Sequence, residues 1–360
     1  MRRNIIVVLI ALLFSFSCSK TGEDNTDQTY TPTPVTLEIP QIFQQLLPTP
    51  TIPSDNRLTE EGVALGRKLF YDPILSGDGT QSCTSCHLQA NAFTDPRQFS
   101  IGIDGSIGTR NAMPVFNAAW SINQKFFWDG RASSLEEQAL QPVENPIEMN
   151  NTWQQAISSL QATADYPELF NKAFGTSTIT KELVAKAIAQ FERTLISGNT
   201  PFDRYLLGDE NAVSQQVING FNIFMDPDRG DCFHCHGSDT NPLWTDNIFH
   251  NNGLDETFTD KGLGDVTGDP LDFGKFKSPS LRNLAYTAPY MHDGRFATLD
   301  EVINHYSEGL VYSETIDPLM KFVAQGGNQL SQQEKEDLKA FLLSLSEEDF
   351  TTNPNFSNPN

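Results

Sequence analysis

The chain has 360 residues, a formal charge of −22 and five cysteines. That length accommodates two domains, each able to bury its own core. The acidic balance argues against nucleic acid and against electrostatic attachment to anionic lipid; it suits a basic protein partner as well as it suits plain solubility.

The chain opens MRRNIIVVLIALLFSFSC, two arginines ahead of an apolar run too short for a stable membrane span. Residues 1–17 therefore read as a signal peptide and imply an exported protein, periplasmic in a bacterium. Cys18, followed by Ser19 and Lys20, resembles the lipid-modified cysteine of a lipoprotein, although Ser15 stands where such signals usually carry leucine. The alternative is plain cleavage without lipid; with lipid, the anchor is the membrane attachment. Residues 18–53 are polar and proline-rich, and are expected to form a lipoprotein tether rather than to fold.

Apart from Cys18, every cysteine lies in the pattern C-x-x-C-H: Cys83-Thr-Ser-Cys86-His87 and Cys232-Phe-His-Cys235-His236. Two thiols at that spacing add across the two vinyl groups of one haem, and the adjacent histidine is delivered to the iron. Disulfides give no reason for a histidine after both pairs. The pairs are too far apart for a zinc ribbon, and neither is set in the βαβ pattern of a redox dithiol. Two covalently bound c-type haems are the expected cofactors.

The motif belongs to a larger repeat. Gly66-Arg-Lys-Leu-Phe-Tyr-Asp-Pro73 precedes the first copy and Gly220-Phe-Asn-Ile-Phe-Met-Asp-Pro227 the second; downstream, Trp128-Asp-Gly-Arg131 parallels His292-Asp-Gly-Arg295. The expected fold is mainly α: two tandem cytochrome c-like haem domains with long loops. The first spans residues 54–205, the second 206–350, and 351–360 form a tail. Apolar stripes at Val184, Ile188, Phe191 and Leu195, and at Val217, Phe221 and Phe224, predict helices with a core-facing side. Ser331 and Glu334 make a capping box ahead of Leu338, Phe341, Leu342 and Leu345.

His87 is the only histidine before residue 234, so the first haem has no second histidine from its own domain. Met113 and Met149 are its soft candidates. Used as a ruler, the repeat puts Pro142 fourteen residues after Trp128 and Tyr306 fourteen residues after His292. Proline cannot ligate iron and tyrosine can. One haem is thus expected to be five-coordinate for chemistry and the other six-coordinate for electron storage or transfer. Glu148 suits proton movement during peroxide cleavage, and Gln138 suits orienting peroxide. The alternative for both is a solvated loop, because Gln-x-x-x-Pro-x-x-x-x-x-Glu is a weak pattern in isolation. Composition favours Trp128 as a core aromatic over an electron relay.

These residues resemble the bacterial dihaem cytochrome c peroxidases and their relatives, the dihaem oxidases of the MauG group. The resemblance runs from about residue 55 to 347. It is carried by the two haem motifs, Arg110-Asn111-Ala-Met-Pro-Val-Phe-Asn117, Phe127-Trp-Asp-Gly-Arg131, Leu135-Glu-Glu-Gln138, Pro142, Glu148-Met149, Leu281-Arg-Asn283 and Thr287-Ala-Pro-Tyr-Met-His-Asp-Gly294. It implies that the first haem is peroxidatic, that Gln138 and Glu148 form its distal pocket, and that Trp128 relays electrons between haems. It further implies a calcium ion held by Asn111 and the carbonyls of Thr287 and Pro289. Hydrogen peroxide is the implied substrate and a small protein such as cytochrome c the implied donor; a homodimer is compatible with the family. Two departures stand out. The loop that carries a blocking histidine in many of these peroxidases reads Ser100-Ile-Gly-Ile103. Tyr306 stands where peroxidases usually place methionine, as in the MauG group, whose chemistry is oxidation of tryptophan in a partner protein; His305, Met291 and Met320 are its alternatives as ligand. The expectation is a peroxidase, with a MauG-like oxidase as first alternative and a non-catalytic dihaem electron carrier as second.

Overall fold

The computed structural model describes residues 30–121 and 123–359. The signal peptide and Cys18 lie outside the described residues. Thirteen α-helices follow in chain order among those residues. The first domain holds α2 (Glu60–Tyr71), α3 (Leu135–Glu144), α4 (Trp153–Gln161), α5 (Tyr166–Phe174) and α6 (Lys181–Thr194), after a short α1 (Gln41–Leu46). The second holds α7 (Pro201–Leu206), α8 (Gln215–Met225), α9 (Phe233–His236), α10 (Leu263–Thr267), α11 (Leu299–Glu308) and α12 (Gln332–Ser344), before α13 (Glu348–Thr352). The sheet is a single pair of two-residue strands, Phe249–His250 against Phe276–Lys277. The mainly helical expectation holds.

Each domain is organised by one close helix crossing at a glycine of the repeat. A Cβ on Gly66 of α2 would overlap the Ala187 carbonyl of α6 and lie 3.0 Å from the Phe191 Cβ. A Cβ on Gly220 of α8 would likewise overlap the Asp337 carbonyl of α12 and lie 2.9 Å from the Phe341 Cβ. Only glycine lets the backbones approach this far. The crossings set a register between the halves in which Ala187 matches Asp337, Phe191 matches Phe341, and Glu192 matches Leu342. The predicted stripes lie on these helices, with Val184, Ile188, Phe191 and Leu195 buried in the first core and Val217 and Phe224 in the second. Ser331 and Glu334 form the anticipated capping box on α12.

The site loops repeat as well. Phe126 bridges Ala132 and Tyr290 bridges Phe296, each closing a turn with left-handed backbone at Phe127 or Met291 and at the following Gly130 or Gly294. Each turn leads to a helix capped by a hydroxyl, Ser134 for α3 and Thr298 for α11. Pro142 and Tyr306 occupy the same place on those helices, as the ruler required.

Packing redraws three boundaries of the sequence reading. The tether was expected to reach Pro53, but Ile42 and Phe43 of α1 are buried against Trp120 and Leu243, and the Trp120 indole donates to the Pro48 carbonyl at 3.0 Å. Ile42 and Phe43, with Ile39 and Leu47 packed beside them, make this docking, and composition averaged over the whole segment hides them. Phe202 packs with Phe221, Trp244 and Phe341, which puts α7 in the second core rather than the first. The tail also returns, with Tyr71 and Arg67 donating to the Phe356 and Ser357 carbonyls, and Phe350, the last residue expected in the second domain, stacks edge-on against Phe93 and Phe116 of the first core.

Candidate functional site

The first haem motif starts in a single 3-10 turn, Cys83–Ser85, directly after which His87 emerges. Its Nδ1 lies 2.9 Å from the Phe93 carbonyl. Burial lowers the His87 pKa, more than the bond to Phe93 raises it. A neutral ring that donates through Nδ1 leaves Nε2 as a lone-pair donor, the form in which histidine binds a metal. In the second motif, His236 repeats the arrangement with its Nδ1 3.2 Å from the Pro279 carbonyl, and burial pushes its pKa down to about 4. All four motif cysteines are free thiols.

A cavity of about 1270 Å³ opens beside His87; Cys86, Trp128, Gln138, Pro142 and Glu148 are among its walls, and it extends to Ser278, Pro279 and His292 of the second domain. A pocket of about 70 Å³ adjoins it and is shared by Cys83, His87, Gln138, Pro142 and Glu148. Paired thiols, a neutral imidazole and an open space of this size fit a covalently attached haem.

The structure therefore gathers Gln138, Pro142 and Glu148 around one space with His87, although their spacing alone is a weak pattern that a solvated loop also allows. Burial raises the Glu148 pKa, while a hydrogen bond from Asn145 Nδ2 at 2.5 Å and the nearby charge of Arg131 pull the other way without cancelling it. Met113 also faces the larger cavity, and Met149 is buried beside the smaller one. Ile103 lines neither. Its backbone N–H donates to the Glu148 carbonyl at 3.0 Å, so this loop braces the Glu148 segment.

Trp128 is buried, and it also lines the cavity between the domains. Its indole donates to the Asn111 carbonyl at 2.8 Å, and the Asn111 N–H donates to the His292 carbonyl at 2.7 Å. The two matching residues of the repeat are thus joined through a single residue. The Asn111 side chain donates to the Arg97 and Gln98 carbonyls at 3.0 and 3.2 Å. Thr287 is buried, and Pro289 follows a cis bond from Ala288.

In the second domain Tyr306 is enclosed, its hydroxyl accepting a hydrogen bond from Asn252 Nδ2 at 3.0 Å; burial, reinforced by the nearby motif thiols, pushes its pKa up to about 12. The same Asn252 amide lies 3.7 Å from Met291 Sδ. His305 turns its Nε2 to the Asn252 carbonyl at 3.2 Å. Of the alternatives, Met291 therefore shares a polar anchor with Tyr306, whereas the His305 ring nitrogen is already engaged.

Sequence reasoning missed three features. Asn252 has no motif around it. His250 sits between Asp246 and Asp317 at 2.8 and 2.6 Å, and although burial disfavours its charge, the two carboxylates push its pKa up to about 12. Glu192 lines both cavities, and a signal for it existed: it lies four residues after Ile188, inside the apolar stripe of α6.

The family described as di-haem cytochrome c peroxidase matches residues 60–211. The chain is 37% identical over 296 residues to a methylamine utilization protein MauG of Methylophilus methylotrophus, covering 81% of this chain and 84% of that protein. The chain belongs to the bacterial di-haem cytochrome c peroxidase and MauG family. It is 37% identical over 309 residues to the cytochrome c peroxidase Ccp of Escherichia coli, covering 83% of this chain and 61% of that longer protein. A crystal structure of a MauG-like protein associated with microbial copper homeostasis superposes with a TM-score of 0.81 at 37% identity, covering 90% of this chain and 99% of that one. As a family member the chain is a peroxidase-type oxidoreductase with two c-type haems.

Proposed function

We propose that the protein reduces hydrogen peroxide to water at the first haem, with electrons delivered through the second by a small donor protein such as cytochrome c. The observation that carries this reading is Pro142 in the cavity beside His87, in company with Gln138 and Glu148. A side chain unable to ligate iron, set beside an acid–base group and an amide, makes an open reaction site rather than an electron carrier's closed one. The bound haem supplies the iron at which the O–O bond is reductively broken. Glu148 takes the proton from one peroxide oxygen and returns it to the departing oxygen, and Gln138 orients the molecule by hydrogen bonding. Trp128, with its indole fixed on Asn111, carries electrons between the domains. Asn111 with the Thr287 and Pro289 carbonyls holds calcium at the interface, and Cys18 anchors the periplasmic protein to a membrane through lipid.

Steady-state assay with peroxide and a reduced basic cytochrome tests the reading; consumption of both in fixed ratio is expected. With Ile103 in place of a blocking histidine, the resting ferric protein is expected to show one high-spin haem by electron paramagnetic resonance. It should also react with peroxide before any reduction. Two low-spin haems at rest, reacting only after half-reduction, would transfer the open site to a ligand such as Met113 or Met149. The enclosed Tyr306 favours a second reading, a MauG-like oxidase that uses peroxide to modify a partner protein. Peroxide consumption without oxidation of any cytochrome would favour it.

A further inference from the structure

We propose that Glu192 is the second proton-carrying carboxyl of the peroxidatic pocket, holding a proton at rest and releasing it toward Glu148 during the reductive half of the reaction. The inference rests on peroxide reduction at the first haem and adds a residue to it.

Glu192 is only 3% exposed, yet it lines both cavities in company with His87, Gln138 and Glu148. Its Oε2 is fully buried, and among the described residues no donor reaches it. A buried carboxylate without a partner is costly, and such a group keeps its proton instead. The cation beside it is taken, since Arg193 pairs with Glu136 of α3 at 2.8 Å. It shares the smaller pocket with His87, Cys83 and Glu148. Burial accordingly pushes the Glu192 pKa up to about 8, with the Arg193 charge opposing this and the Glu136 charge adding to it.

The repeat supplies an internal control. In the register set by the Gly66 and Gly220 crossings, the second domain carries Leu342 at this place, buried in its core. The helix crossing therefore does not require a carboxyl. The polar residue occurs in the domain with the open pocket and is replaced by an apolar one in the domain with Tyr306.

Peroxide reduction has a use for such a group. The O–O bond breaks, the proton moved by Glu148 lets the first oxygen leave as water, and that proton comes from peroxide itself. The second oxygen leaves as water only after taking up two electrons from the donor and two protons from outside the substrate. Glu192 supplies one of these two and is reloaded from solvent.

The test uses the dihaem protein with Glu192→Gln and Glu192→Leu, the latter copying the second domain. Stopped-flow mixing with peroxide should show a first spectral change within about twofold of wild type, while the return to the resting state with reduced cytochrome slows by at least about 10²-fold, the lower end of the range for loss of a proton-transfer group. Glu192→Asp should restore part of that rate. Infrared difference spectra of the resting protein should contain a carboxylic acid C=O band that shifts in D2O and disappears in Glu192→Gln. An unchanged return phase, an equal slowing of both phases, or retention of the band would each overturn the proposal. If wild type itself did not react with peroxide, the proposed function would fall instead, and the infrared band would still report whether Glu192 is protonated.

Discussion

At Glu148, burial raises the pKa and a hydrogen bond from Asn145 lowers it, with burial prevailing. The role proposed for Glu148 needs the base form to accept a proton, so activity should fall as pH drops through this raised pKa, above the roughly 4.3 of an exposed glutamate. Glu148→Gln keeps the shape and removes the base. Peroxide turnover should fall by about 10²–10⁴-fold and the acid limb of the pH profile should vanish; steady-state rates across pH check both. Tyr306→Phe should convert a low-spin ferric signal of the second haem to high-spin by electron paramagnetic resonance. An unchanged signal would move the ligand to Met291, which shares the Asn252 anchor. Tyr306 was legible because the repeat places it by counting, and Glu148 because it lies six residues past Pro142. Asn252 was not, because it meets Tyr306 from 54 positions away in the chain.

The helices α2 and α6, and α8 and α12, depend on contact at a glycine that no rotamer change can relieve, since the opposing atom is a backbone carbonyl. Gly220→Ala must push α8 and α12 apart and should cost at least about 1–3 kcal/mol, the usual range for overpacking. Denaturant unfolding of the dihaem protein measures it. The stripes and the Ser331 cap identified these helices from sequence, because amphipathic period and capping are local properties. Which helix each stripe meets is not local, and neither is the match of Glu192 to Leu342 that follows from it.

Across the whole molecule, Arg282 and Asp203 form a fully buried ion pair with two hydrogen bonds at 2.7 and 2.8 Å. Burial alone would raise the Asp203 pKa, but the Arg282 charge and hydrogen bonds outweigh it and hold the carboxyl below its ordinary value. With the folded pKa below the unfolded one, the pair's stabilisation is present at neutral pH and is lost as pH falls through the folded value. Arg282→Met strands the carboxylate and should cost about 3–5 kcal/mol in denaturant titration at neutral pH. The charge of −22 makes a second prediction at this scale. Turnover with a basic cytochrome should fall steeply as ionic strength rises, because steering through the summed field is screened within about 8–10 Å at physiological salt.

The sequence by itself determined the cofactor, the duplication and the contrast between Pro142 and Tyr306, since these depend on residue type and on spacing along one chain. Only the tertiary structure decided that α1 and the tail dock on the body, that α7 belongs to the second core, and that Glu192 lines the cavity beside His87 with its Oε2 reached by no donor among the described residues. Each of these is a meeting of segments distant in sequence. Burial there is set by what the fold brings opposite a side chain, a property that composition and periodicity do not contain.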